Sequence, residues 1–144
     1  MFDNGLRKVP VGDMQKDGSL KNIKYGLVDS RGKFAAEPIY DEIKAYYISA
    51  KKTGVFDEQL IETIFVDGYV QVVRNGKMGL MDTKGKEVIP CEYHAVGLPV
   101  EGISRVTKKS GDKYYLGYWS LEKGKEIVKP NKYPVSGSDA TAKG

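Results

Sequence analysis

Gly68-Tyr-Val-Gln-Val-Val-Arg-Asn-Gly-Lys-Met-Gly-Leu-Met-Asp-Thr-Lys-Gly-Lys-Glu-Val-Ile-Pro-Cys-Glu-Tyr93 is the stretch that decides the fold. Val70, Val72 and Arg74 alternate with Tyr69, Gln71 and Val73, the two-residue period of a strand. Asn75-Gly76 follows, a dipeptide that accepts two successive positive φ values and closes a type I′ hairpin. Lys77 to Met81 is the return strand. Asp82-Thr83-Lys84-Gly85 has the Asp and Gly of a type I turn followed by a left-handed residue, which predicts a three-residue loop with a bulge. Lys86 to Ile89 is the third strand, expected to end at Pro90, which brings no N–H to a ladder.

Working outward, imperfect copies of this unit stand on both sides. Phe2-Asp3-Asn4-Gly5-Leu6-Arg7-Lys8-Val9, Phe65-Val66-Asp67-Gly68-Tyr69-Val70-Gln71-Val72 and Pro99-Val100-Glu101-Gly102-Ile103-Ser104-Arg105-Val106 each place Val four residues after Gly. Tyr25-Gly26-Leu27-Val28-Asp29-Ser30-Arg31-Gly32-Lys33 aligns with Met78-Gly79-Leu80-Met81-Asp82-Thr83-Lys84-Gly85-Lys86. Leu116-Gly117-Tyr118-Trp119 opens a third copy, which has one extra residue before Gly124. Tyr40, Tyr93 and Tyr133 share a slot and read as packing between units. Coincident patterns of this kind are the signature of a repeat architecture.

These residues resemble the bacterial WG (or KWG) repeat, with a Trp-Gly, an Ile-Asp, a Gly-Lys, a Pro, a Tyr-Asp and a Phe-x-x-Gly-Leu in turn. The likeness runs from Phe2 to about Tyr133 and is strongest over Lys77 to Val96. The Trp slot holds Tyr25, Met78 and Leu116 instead. The resemblance implies an array of β-hairpins and no particular reaction. The expectation is an all-β protein: three WG-like units in a compact antiparallel array, with a barrel-like or propeller-like body as the forms it can take. Leu27-Val28, Leu80-Met81 and Tyr118-Trp119 would point to both faces of their strands, and Gly26, Gly79 and Gly117 would permit close backbone approach beside them. One domain is expected over 1–135, with a small, polar and disordered tail at 136–144.

The interval between the first and second copies is longer than that between the second and third. An insertion therefore lies at about 44–64. Ala45-Tyr46-Tyr47-Ile48 reads as a strand, and Thr53-Gly54 can turn it. The alternative is a short helix capped by Asp57 with Leu60, Ile61 and Ile64 on one face. Ile61, Thr63, Ile64 and Val66 favour strand, so the hairpin is preferred.

Composition is that of an ordinary globular chain: 40% hydrophobic, 29% charged, net charge +4. No apolar run approaches the roughly 20 residues that span a bilayer, so no membrane role is expected. One cysteine, Cys91, excludes an internal disulfide framework. With no basic-then-apolar leader before Asp3, a cytoplasmic location is expected. Cys91-x-x-His94 lacks the second pair that a structural zinc site needs, and in the first copy the slots of Cys91 and His94 hold Pro38 and Asp41. Asp29 and Asp82 are expected to bond turn N–H groups, since the third copy places Ser120 or Leu121 there. No phosphate loop precedes a helix. The expectation is thus no enzyme, no cofactor and no metal.

Two binding surfaces remain. Tyr46, Tyr47 and Phe56 fall in the insertion, outside the repeated frame, and insertions in repeat arrays map to one face. They are the candidates for contact with another protein, in an adaptor, inhibitor or immunity-type role. The alternative is nucleic acid or another polyanion on the basic segment 105–132, where Lys108, Lys109, Lys113, Tyr114 and Tyr115 combine charge with aromatic surface. The plainer reading of these lysines is a wet strand face that blocks edge pairing.

Overall fold

The computed structural model describes residues 3–51 and 58–135, and among them every regular element is a strand. Unit 1 is β1 (Leu6–Met14), β2 (Leu20–Asp29) and β3 (Phe34–Tyr40), followed by the short β4 (Glu42–Ile43). The insertion forms β5 (Tyr46–Lys51) and β6 (Glu58–Thr63). Unit 2 is β7 (Tyr69–Arg74), β8 (Lys77–Asp82) and β9 (Glu87–Tyr93), followed by β10 (Ala95–Val96). Unit 3 is β11 (Ile103–Ser110), β12 (Lys113–Ser120) and β13 (Lys125–Val135). All pairings are antiparallel, and among the described residues no sheet closes on itself.

The turns follow their residues. Asn75 and Gly76 have φ of 53° and 76° between the paired Arg74 and Lys77, a type I′ turn. At 82–86, Gly85 N donates to Asp82 O at 3.1 Å and Asp82 N to Lys86 O at 2.9 Å. The Asp82 carboxylate accepts from the N–H groups of Lys84 and Lys86, and Asp29 does the same for Arg31 and Lys33. Ser120 takes over this part in the longer third loop, where its Oγ accepts from Lys123 N.

The third strand does not end at Pro90; β9 continues to Tyr93. Leu80 pairs with Ile89 and Met78 with Tyr93, so the residues between Ile89 and Tyr93 bulge out beside Gly79. Pro90 lies in that bulge, where no ladder bond is asked of its nitrogen. A Cβ on Gly79 would stand 2.5 Å from Ile89 O, one on Gly117 2.5 Å from Val128 O, and one on Gly26 2.7 Å from Ala36 O. The glycine of the repeated dipeptide is thus the place where the bulged strand crosses its neighbour.

Each unit lends its next residues to the sheet of the unit that follows. β4 leaves unit 1 and pairs with β7, and β10 leaves unit 2 and pairs with β11. The sheet orders are therefore β1-β2-β3, β4-β7-β8-β9 and β10-β11-β12-β13, with β5-β6 apart.

Strand alternation then divides the core into two layers. Leu27, Ala36, Tyr40 and Ile43 of unit 1 pack with Val70, Val72 and Met81 of unit 2. Leu80, Ile89, Tyr93 and Val96 of unit 2 pack with Val106 and Trp119 of unit 3. Leu80 and Met81, adjacent in the chain, serve different layers, as their two-sided burial predicts. A hydrogen-bonded rung fastens each layer. Tyr40 donates its hydroxyl to Glu87 at 2.5 Å, and Tyr93 donates to Glu126 at 2.6 Å. Glu87 and Glu126 stand two residues after the turn glycines Gly85 and Gly124.

Candidate interaction surfaces

The insertion is the preferred hairpin, with Tyr46 opposite Thr63 and Tyr47 opposite Glu62. Its base is held from two sides. The Asp3 carboxylate accepts from Thr63 Oγ1 and from the N–H groups of Ile64 and Phe65 at 2.8 and 3.0 Å. Burial would raise that carboxyl; the hydrogen bonds from Thr63, Phe65 and Ile64 outweigh it and hold the group below the usual carboxylate range. Tyr46 is the second tie. Its hydroxyl donates to Gln71 Oε1 at 2.8 Å and accepts from Gln71 N at 3.1 Å, and its ring packs on the first core layer. Burial pushes its phenol up.

Adjacent strand residues point to opposite sides, so Tyr46 facing in turns Tyr47 out, and Tyr47 is 65% exposed. Of the three aromatic candidates, then, Tyr46 positions the hairpin, Tyr47 is presented by it, and Phe56 lies outside the described residues. The tail at 136–144 lies outside them as well.

The same alternation divides the basic segment. Lys108 pairs with Tyr115 and Ser110 with Lys113 on the side of unit 2, where the Lys108 ammonium sits 5.2 Å from the Tyr93 ring centroid. Lys109 pairs with Tyr114 on the other side, its ammonium 5.8 Å from that ring. The five residues do not form one platform. Tyr114 also lies against His94, with ring centroids 4.8 Å apart.

Cys91 is buried, and burial, with Glu87 close by, pushes its thiol up to about 12. A thiol so held is a poor nucleophile near neutral pH. Among the described residues no group of three or more His, Cys, Asp or Glu is placed to hold a metal ion. A groove of about 480 Å³ separates the turns at Asp67 and Glu101, with Tyr69, Leu121 and Glu122 on its walls. No helix of the described residues is long and apolar enough to cross a membrane.

The family model of the WG containing repeat matches residues 25–47 and 78–114. Over these two stretches the chain is similar to the WG repeat. Each match begins in the middle of a unit, at Tyr25 or Met78, and crosses the borrowed strand β4 or β10. The WG frame therefore spans the junction between neighbouring sheets, where the rungs lie. Most of β12 and all of β13 fall outside the match, where the third loop carries its extra residue. No curated protein and no solved structure matches the chain.

Proposed function

We propose that this chain is a non-catalytic module that binds another protein, with β5–β6 as its contact hairpin. The observation that carries the reading is a hairpin outside the repeated frame that is tied at its base by Asp3 and Tyr46 and turns Tyr47 to solvent. Tyrosine is favoured at interfaces because it brings large contact area with few torsions to immobilise. A fixed base lowers the ordering cost of association. The buried thiol of Cys91 and the turn-bonded carboxylates of Asp29 and Asp82 support a scaffold role for residues that could otherwise suggest chemistry.

The test is affinity capture from a lysate of the native cell, comparing the wild-type chain with Tyr47→Ser and with Lys109→Ser. A captured protein that is retained by Lys109→Ser and at raised salt but lost with Tyr47→Ser supports the hairpin. Capture of nucleic acid that weakens steeply with salt would support the polyanion reading instead. Equal capture by wild type and Tyr47→Ser would remove the hairpin from the account.

A further inference from the structure

Among the described residues no neighbour covers the face of unit 3 that corresponds to those by which units 1 and 2 each receive one, and it is open at Tyr118 and Tyr133 while Thr107 within it is buried. In unit 2 that face is built of two cross-strand rows, Gln71–Leu80–Ile89 and Val73–Met78–Tyr93. Register puts Arg105–Tyr118–Val128 and Thr107–Leu116–Tyr133 in the same rows of unit 3. Leu80, Ile89 and Tyr93 are buried, whereas Tyr118 and Tyr133 are 37% and 57% exposed. Among the described residues the buried Nε of Arg105 has no hydrogen-bond partner. Its counterparts Lys8 and Gln71 donate to the carbonyls of Ile43 and Val96.

The two closed layers say what such a face accepts. Each is filled by one side of a hairpin unit: Val70, Val72 and Met81 beside Glu87, then Val106 and Trp119 beside Glu126. A second copy of this chain would bring the corresponding side of unit 1, where those slots hold Arg7, Val9, Val28 and Phe34. Phe34 offers the Tyr133 hydroxyl no acceptor, and Arg7 would approach the face that carries Arg105. Self-stacking in this sense would also be head-to-tail and open-ended. The residues at its leading side oppose it.

We propose that the outward face of unit 3 docks a β-hairpin of a partner protein, which sets apolar residues on Tyr118 and a carboxylate on the Tyr133 hydroxyl. The surface is separate from β5–β6, so it stands or falls independently of the hairpin reading. Its specificity comes from the carboxylate. A partner without one leaves the tyrosine hydroxyl unpaired in a closing interface.

The probe is the chain itself with its leading side made like those of units 2 and 3, by Arg7→Val with Phe34→Glu. Arg7 is exposed and Phe34 is 37% exposed, so neither change empties the core. Circular dichroism confirms that the fold is kept, and Phe34→Glu alone serves where the pair does not keep it. Immobilised probe is expected to bind wild-type chain, wild type to show no such binding to itself, and Tyr133→Phe in the bound chain to weaken binding at least about ten-fold. A folded probe that binds no wild-type chain up to about 1 mM overturns the proposal. So does binding that is indifferent to Tyr133→Phe and Tyr118→Ser. An oligothymidylate that binds the wild-type chain and is lost with Tyr118→Ser would overturn it in favour of a nucleic-acid platform.

Discussion

Gly32 and Gly85 hold the same place in consecutive units and nearly the same backbone, φ of 81° and 83°. Their surroundings differ. A Cβ on Gly32 meets nothing within 4 Å, whereas one on Gly85 would stand 2.4 Å from Ala35 O and 2.7 Å from Ala35 C. Alanine at a left-handed position costs about 1–2 kcal/mol, and part of this is offset by about 0.4–1 kcal/mol from the stiffer unfolded chain. Gly32→Ala should therefore destabilise by about 1 kcal/mol. Gly85→Ala carries the same strain and must also push β3 off the turn. Overpacking of that kind adds about 1–3 kcal/mol. Gly85→Val should be worse, because a β-branched residue resists positive φ. Urea unfolding with constant m value gives the comparison directly, and for a chain of this size the extra loss corresponds to a melting temperature lower by about 3–12 °C. Asparagine, which tolerates positive φ, separates the two causes: Gly32→Asn should be nearly neutral and Gly85→Asn still damaging. Equal midpoints for the Gly32 and Gly85 variants would refute the contact between turn and strand as a source of stability.

Two further outcomes follow from the rungs. Tyr93→Phe strips Glu126 of its hydroxyl donor and should cost about 1.5–3 kcal/mol, the range for a hydrogen bond to a charged group. Tyr40→Phe should cost less, since Glu87 keeps Arg74 at 3.2 Å; a reversed order in urea midpoints would count against this account. The Glu87 carboxyl would be raised by burial, but Tyr40 and Arg74 hold it below its ordinary value, and Asp3 is held low likewise. The folded chain thus binds fewer protons than the unfolded one in acid, so this stability is complete above about pH 4.3 and is lost as pH falls through the folded values. Glu87→Gln should flatten the acid limb of a stability–pH curve, and an unchanged limb would exclude Glu87 as its source.

Much of this architecture can be read from short-range chemistry. Asn75-Gly76 and Asp82 to Gly85 specify their turns locally, and Gly79 announces a close crossing because no other residue fits 2.5 Å from a carbonyl. Pro90 misleads for the same reason that it is tolerated: it signals a strand end unless a bulge removes the need for its N–H. β4 and β10 are two residues long, too short for any period to show. The rungs join residues as far apart as Tyr40 and Glu87, although Glu87 and Glu126 following equivalent glycines was a visible hint. The surfaces were harder. Tyr46 and Tyr47, Lys108 and Lys109, and Tyr114 and Tyr115 are neighbours in sequence, and a strand sends neighbours to opposite faces. Proximity in sequence therefore mixes inward and outward residues, and the pleat separates them.

The lending of β4 and β10 to the following sheet gives biosynthesis a direction. When β7 or β11 leaves the ribosome, the strand that will flank it has already been made. The sticky edge of each new sheet is thus sheathed as it emerges, and the nascent chain can assemble in order without waiting for its carboxy-terminal end. β1 has no such predecessor among the described residues, and Pro10 lies within it, at the position equivalent to Val73. A missing amide there leaves a stray strand one handhold fewer on that edge.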